Sequence, residues 1–321
     1  MKILLVSGFL GAGKTTFIKE LITNTDKQPV ILENEYGSNN LDSIELQSAS
    51  SENKELKVLE FMEGCVCCTM KDSFVNSILA IYSSLGPEYL IIEPTGVGKL
   101  SSIIENLKPI LNKVIYLLEP VVVLSPLNFK QNMQQYPDLY TDQIANAGII
   151  VFSKCENCNS DELNAVVREL QKINPAAKII SEHYSKMDDA FWESLMETDG
   201  KVDHITKSDI QRTDNISQVS INSAGLYNPS QLIILLEDCL RGRYGIISRA
   251  KGTLRVGDEF LRFDLADRMY AITDTKADNC QCVFIGKNLD EKKLQRYLTG
   301  GYRSLKIGCI LTPGDGDKGT Y

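Results

Sequence analysis

The sequence predicts a two-part α/β chain: a mostly parallel sheet flanked by helices, followed by a small α+β unit. Three observations predict it. Over residues 2–181, short apolar runs of strand length alternate with amphipathic stretches of helix length, and that alternation builds a parallel sheet with right-handed crossovers. Beyond residue 218 the strands come closely spaced, with only two helical stretches among them, the pattern of an antiparallel α+β unit. The chain has 321 residues, too many for one small core and about right for two domains. The expected division is a first domain over 1–184, a linker over 185–214 and a second domain over 215–321.

Lys2-Ile3-Leu4-Leu5-Val6 reads as the first strand. Gly8-Phe9-Leu10-Gly11-Ala12-Gly13-Lys14-Thr15 follows, and residues 16–22 read as an amphipathic helix. Strand, glycine loop and helix in that order is the context of a phosphate-binding loop, which makes the first domain a P-loop NTPase by pattern. Gly8, Gly11, Ala12 and Gly13 let backbone N–H groups turn inward around phosphates. The helix N-terminus adds partial positive charge. Lys14 is expected on the β- and γ-phosphates and Thr15 on Mg²⁺, and Thr16 is the last of the expected nucleotide-binding residues of this loop.

Residues 29–32 read as the second strand. It runs into Glu33-Asn34-Glu35-Tyr36-Gly37-Ser38-Asn39-Asn40-Leu41-Asp42, a polar loop placed where a nucleotide-responsive loop would lie; a plain surface loop is the alternative. After a strand at 58–61 comes Glu63-Gly64-Cys65-Val66-Cys67-Cys68, which gathers three of the nine cysteines. Cys65 and Cys67 share one face of an extended segment, and Cys68 joins them if the chain turns. Three thiolates suit Zn²⁺, Cu(I) or a similar ion with a fourth ligand from elsewhere; the alternative is packing as small hydrophobes. A helix is expected over 72–85 and a buried strand over 89–92, which delivers Glu93-Pro94-Thr95-Gly96 at its C-terminal end. An acid there is where open α/β sheets put a Mg²⁺-linked carboxylate; a helix-capping acid is the alternative.

One strand is expected over 114–124, a helix over 142–147, and a strand over 148–152 that ends in Ser153-Lys154-Cys155-Glu156. In nucleotide-binding switches a lysine here packs on the purine and an acid two residues later reads the base. Cys155 and Cys158 form C-x-x-C: a second metal or redox site is one reading, loop residues beside the base the preferred one. A helix over 161–173 and a strand over 178–181 complete the first domain. The second is expected to hold strands at 218–224, 246–254, 259–264, 269–273 and 280–285, with helices at 229–240 and 290–298. Cys280 and Cys282 alternate on one strand and read as packing residues.

Hydrophobic residues make up 43% and charged residues 24%, an ordinary soluble composition. A net charge of −8 leaves no basic surplus for nucleic-acid phosphates, so no nucleic-acid partner is expected. The longest apolar run, 114–127, is broken by Glu119 and two prolines, so no membrane span is expected. The first strand opens directly into the phosphate loop, so no cleaved signal is expected and the cytosol is the expected compartment. In a reducing compartment the cysteines are thiols, metal ligands or redox groups. With two histidines in the chain, any soft-metal site leans on sulfur.

Five motifs together resemble the CobW-like P-loop GTPases, relatives of the GTPases that insert nickel into urease and hydrogenase. Ser7 to Thr16 matches the family's phosphate loop. Asn34-Glu35-Tyr36-Gly37 with Asp42 resembles its switch loop. Cys65-Val66-Cys67-Cys68 is its C-x-C-C, Glu93-Pro94-Thr95-Gly96 resembles its E-x-T-G magnesium motif, and Arg249-Ala250-Lys251-Gly252 resembles the R-A-K-G that opens its C-terminal domain. The chain departs from the pattern in three places. Ser153-Lys154-Cys155-Glu156 stands for N-K-x-D, the His-rich stretch of many members is missing, and Ser38 stands where many members carry a glutamate.

The resemblance implies a GTP-binding and hydrolysing metallochaperone that delivers a transition metal to a client metalloprotein or corrinoid protein. The alternative it implies is an NTP-dependent activator of a metal- or corrinoid-dependent enzyme that carries no metal itself. A phosphate-loop kinase is a third class, and no small-substrate site is evident for it. By the resemblance, GTP phosphates fall to Lys14 and the loop, the base to Ser153, Lys154 and Glu156, and Mg²⁺ to Thr15, Glu93 and Asp42. The metal, zinc first with cobalt or nickel as alternatives, falls to Cys65, Cys67, Cys68 and Glu35. Lys14 and Glu93 are the expected catalytic pair, and a homodimer is admitted.

Overall fold

The computed structural model describes residues 1–33, 57–60, 71–200, 215–275 and 280–308. The expected switch loop with Glu35 and Asp42, and the Cys65, Cys67 and Cys68 cluster, lie outside the described residues. The chain divides into two compact units, Met1–Asp214 and Asn215–Tyr321.

Among the described residues, the first unit is built on an eight-stranded sheet whose strands pair in parallel, in the order β3-β2-β4-β1-β6-β7-β8 with β5 beside β1. The strands are β1 (Lys2–Ser7), β2 (Val30–Glu33), β3 (Val58–Glu60), β4 (Tyr89–Glu93), β5 (Tyr116–Leu117), β6 (Val121–Leu124), β7 (Ile149–Phe152) and β8 (Lys178–His183). The central ones are near-continuous apolar runs, and all four residues of β2, β6 and β7 are buried. That composition is what a sheet covered on both faces requires. From β1 the chain first builds β2 to β4 on one side, then β5 to β8 on the other. The crevice at the C-terminal end of β1 is therefore the point where strand order reverses, the usual place for a ligand in such sheets.

The helices of this unit are α1 (Lys14–Thr23), α2 (Lys71–Leu85), α3 (Leu100–Leu107), α4 (Phe129–Gln135), α5 (Pro137–Ala145), α6 (Ser160–Ile173) and α7 (Asp189–Leu195). Helix α6 starts where its capping box dictates: Asn159 Oδ1 accepts the Glu162 N–H at 2.9 Å, and Glu162 Oε2 accepts the Asn159 N–H at 3.1 Å. Two expectations need correction. The single strand at 114–124 is two, β5 and β6, separated by Leu118, Glu119 and Pro120. Proline has no N–H to give a ladder, and Pro120 instead accepts the N–H groups of Gly148 and Ile149 through its carbonyl. The stretch from 185, expected as linker, contributes to the core at its start: Phe191, Trp192, Leu195 and Met196 pack with Leu4, Phe17 and Val151. Four apolar residues at helical spacing bury more surface than a linker needs to.

The second unit is an antiparallel sheet in the order β13-β12-β11-β14-β9, with the short β10 parallel to β11. Its strands are β9 (Ile216–Asn222), β10 (Gly225–Leu226), β11 (Ile246–Val256), β12 (Glu259–Ala266), β13 (Met269–Asp274) and β14 (Gln281–Lys287). Helices α8 (Pro229–Leu240) and α9 (Glu291–Gly308) cover one face. Leu232, Leu236, Leu294 and Leu298 meet Ala250, Leu254, Phe263 and Phe284 there, because alternate strand residues point to one side. Cys282 is fully buried in this core, so its thiol is a packing group. In the R-A-K-G stretch, Arg249 pairs with Asp264 across the β11–β12 ladder, Nη2 to Oδ2 at 3.3 Å.

Candidate functional site

At the C-terminal end of β1 the loop turns back on itself, with Ala12 N–H donating to Phe9 O at 3.1 Å. Gly8 makes that path sterically open. Its φ is +145°, and a Cβ there would stand 2.3 Å from the Val123 carbonyl oxygen of β6. Gly11 and Gly13 also take positive φ, 72° and 88°, and Gly13 is the N-cap of α1. Lys14, the first helical residue, is buried, and its Nζ donates to Phe9 O at 3.4 Å. Thr16, one residue past Thr15, is exposed on the helix's first turn.

Thr15 Oγ1 lies 3.1 Å from Oε1 and 3.2 Å from Oε2 of Glu93, the last residue of β4. Two of the three expected Mg²⁺ residues, far apart in sequence, are thus brought together by the β1–β4 pairing; the third, Asp42, lies outside the described residues. A hydroxyl and a carboxylate are hard oxygen donors, the chemistry that Mg²⁺ selects. In the β2–β4 ladder Glu33 stands in register with Glu93, and Glu33 is buried. The loop after Glu93 lies directly on the phosphate loop. A Cβ on Gly96 would meet Leu10 N at 2.6 Å and Leu10 Cα at 2.9 Å, so only glycine permits this approach.

Helix α5 holds both loops, a role the sequence reading missed. Gln143 Nε2 donates to Gly96 O at 3.2 Å and to Gly98 O at 3.1 Å. Asp142 Oδ1 accepts the Ser101 N–H at 3.2 Å, and Asp138 meets Lys99 at 2.7 Å. Burial holds the Asp142 carboxyl above its ordinary range, against the lowering effect of the Ser101 hydrogen bonds. On the phosphate-loop side, the Phe9 ring packs on Tyr136 and Tyr140 at 4.9 and 5.9 Å between centroids. The signal was available only as an amphipathic stretch carrying polar residues on its buried side.

The end of β7 reaches the same loop. Ser153 is buried, and its Oγ donates to Ala12 O at 2.6 Å. Lys154 adopts a left-handed backbone, φ 53°. Cys155 and Cys158 belong to one turn, in which Cys158 N–H donates to Cys155 O at 3.1 Å. Burial pushes both thiols up from their ordinary value. Among the described residues no group of three or more His, Cys, Asp and Glu side chains gathers as a metal site. The C-x-x-C turn adjoins Glu156 in the chain. Glu156 meets His183, from the end of β8, at 3.2 Å; no sequence signal links that pair.

A family model described as "CobW/HypB/UreG, nucleotide-binding domain" matches residues 2–181, and one described as "Cobalamin synthesis protein cobW C-terminal domain" matches residues 216–300. Among curated proteins, the chain is 28% identical over 190 residues to "Zinc-regulated GTPase metalloprotein activator 1" of Schizosaccharomyces pombe, covering 58% of this chain and 46% of that protein. It is 28% identical over 187 residues to "Zinc chaperone YeiR" of Escherichia coli, covering 57% of this chain and 56% of that protein. The match therefore spans about half the length of these curated relatives. Among solved structures, the Zn(II)-bound YjiA GTPase from Escherichia coli is 18% identical, with 94% of this chain and 98% of that chain covered and a TM-score of 0.40. At that score the likeness adds nothing to the topology traced above.

Proposed function

The chain belongs to the CobW/HypB/UreG family, and from that premise we propose that it is a GTP-hydrolysing metallochaperone that hands a transition metal to a client protein or cofactor. The observation that carries the nucleotide half is the Thr15 hydroxyl against the Glu93 carboxylate beneath a glycine loop. In this reading Lys14 and the N–H groups of Gly8 to Thr16 hold the phosphates. Thr15 and Glu93, with Asp42 from the switch loop, hold Mg²⁺, which when bound neutralises charge on the transferring phosphoryl group. Lys154 packs on the base and Glu156 accepts from its N–H donors. Ser153 stands beside the base with Lys154 and Glu156; its hydroxyl hydrogen goes to the phosphate loop, and its oxygen can still accept.

The metal half draws on the C-x-C-C sequence. Cys65, Cys67 and Cys68 would supply thiolates, with Glu35 as the fourth ligand or a supporting contact. Zinc is the first choice, supported by the names of relatives such as the zinc chaperone CobW of Pseudomonas aeruginosa; cobalt and nickel are the alternatives. The client is a metalloprotein or corrinoid protein, and the work is placed in the cytosol. No helix among the described residues is long and apolar enough to cross a membrane. The second reading is an NTP-dependent activator of a metal- or corrinoid-dependent enzyme that carries no metal itself; the name metalloprotein activator, borne by the relative in Schizosaccharomyces pombe, supports its activator part alone.

The test is metal analysis of anaerobically purified protein, followed by metal titration of the chain alone, with GDP, and with a non-hydrolysable GTP analogue, each with Mg²⁺. Stoichiometric metal, lost in a variant with Cys65, Cys67 and Cys68 changed to serine, is expected. The nucleotide should shift metal affinity by about 5–150-fold, the usual size of coupling between sites. Protein without metal and with equal affinities in the three states selects the activator reading.

A further inference from the structure

The acid at the base end of the site is gripped by a histidine. The Glu156 side chain is 60% exposed, yet its Oε1 lies 3.2 Å from Nε2 of His183, whose side chain is only 14% exposed. The ring is fixed on its other edge. Nδ1 accepts the Ser185 backbone N–H at 3.3 Å and lies 2.8 Å from Ser185 Oγ. Its face stacks on Tyr184, with centroids 4.3 Å apart and planes at 29°. Tyr184 is buried and stands edge-on to Phe17 at 5.2 Å.

A ring nitrogen that accepts a backbone N–H carries no proton, so the neutral imidazole carries its hydrogen on Nε2, facing Glu156. His183 therefore donates to Oε1 and occupies one of about four lone-pair sites of the carboxylate. About three remain, enough for two further donors. Glutamate has one more torsion than aspartate, and that freedom must be frozen before both oxygens face a flat edge. A ring anchored in the core supplies the contact that freezes it.

We propose that His183 is a positioning residue for base selection: it holds the Glu156 carboxylate toward a nucleobase edge with two adjacent N–H donors. Guanine's N1–H and 2-amino group form such an edge; hypoxanthine offers only the first. The proposal rests on Glu156 being the base-reading acid, and the test separates the two. GDP and IDP are compared by equilibrium binding to the full chain with Mg²⁺. The parent is expected to prefer GDP by about tenfold or more, the size of a hydrogen bond to a charged group. His183→Phe keeps a stacked ring and removes both nitrogens. It should cut that preference at least about fivefold while leaving IDP affinity within about twofold. His183→Gln, which restores a donor, should recover most of the preference. If His183→Phe melts early, His183→Leu against His183→Gln makes the same comparison.

Glu156→Gln is the control. A His183→Phe variant with the parent's preference, beside a Glu156→Gln variant that has lost it, overturns the positioning role and leaves Glu156 as the base reader. A parent without preference, or a Glu156→Gln variant that keeps it, overturns the base-reading role and this proposal with it.

Discussion

The hydroxyl of Thr15 stands 3.1 and 3.2 Å from the two carboxylate oxygens of Glu93. One residue is the second of the helix after β1, the other closes β4, and these strands are neighbours in the sheet. Thr15→Ala removes one of the two proposed magnesium ligands in this pair and Glu93→Gln weakens the other. Each is expected to lower phosphate release at least about tenfold and to raise the Mg²⁺ concentration for half-maximal rate. Turnover measured across a Mg²⁺ titration checks this; parental curves for both variants would remove these residues from the magnesium set.

Ser153 ties the end of β7 to the phosphate loop through Ala12 O. Ser153→Ala should cost about 0.5–1.5 kcal/mol of stability, the net worth of one internal hydrogen bond, and should weaken GDP binding as the loop loosens. Ser153→Thr, which keeps the hydroxyl, should do neither. Denaturant melts and GDP titrations of the two variants decide it.

At Gly96 the chain has no room for a side chain, since a Cβ would meet Leu10 backbone atoms at 2.6 and 2.9 Å. Backbone cannot swing aside as a flexible side chain does. Gly96→Ala is therefore expected to destabilise by about 1–3 kcal/mol and to depress turnover beyond the loss explained by unfolding. Near-parental melting and turnover would show that the two loops part freely.

Trp192 is the chain's one tryptophan, and it packs on Phe17 at 5.4 Å and on Phe191 at 5.2 Å between centroids. Its emission should be that of a buried indole and should report unfolding of the first unit. Trp192→Ala should cost roughly 3–5 kcal/mol. A loss under about 1 kcal/mol would return this stretch to the status of linker.

Burial raises the Asp142 carboxyl above its ordinary value of 3.8. A carboxyl whose folded pKa exceeds the unfolded one binds more protons in the folded state between the two values. It therefore adds stability below the unfolded value and loses it as pH rises through the folded one. Asp142→Asn does not titrate. The stability of the variant minus that of the parent should rise with pH from below 3.8 and then level off. Melting curves of both proteins across the acid range check the sign; a flat difference would mean that the carboxyl's environment is as wet as in the unfolded chain.

Elements whose cause is local were legible in the residues. β1, β2, β4 and β7 are continuous apolar runs because both faces of the sheet are covered. Gly8, Gly11, Gly13, Lys14 and Thr15 are close together in the chain, so their pattern carries its own meaning, and the alternating strands of the second unit follow from period two. The contacts that build the site around that loop depend on pairings no local pattern encodes. Gln143 reaches Gly96 and Gly98, Ser153 reaches Ala12, and His183 reaches Glu156, each from a different element. Strand order decides which loop ends become neighbours, and side-chain hydrogen bonds form only after that order exists. The break at Pro120 and the burial of Trp192 have the same origin: a polar backbone or an apolar ring takes the partner that the assembled sheet offers.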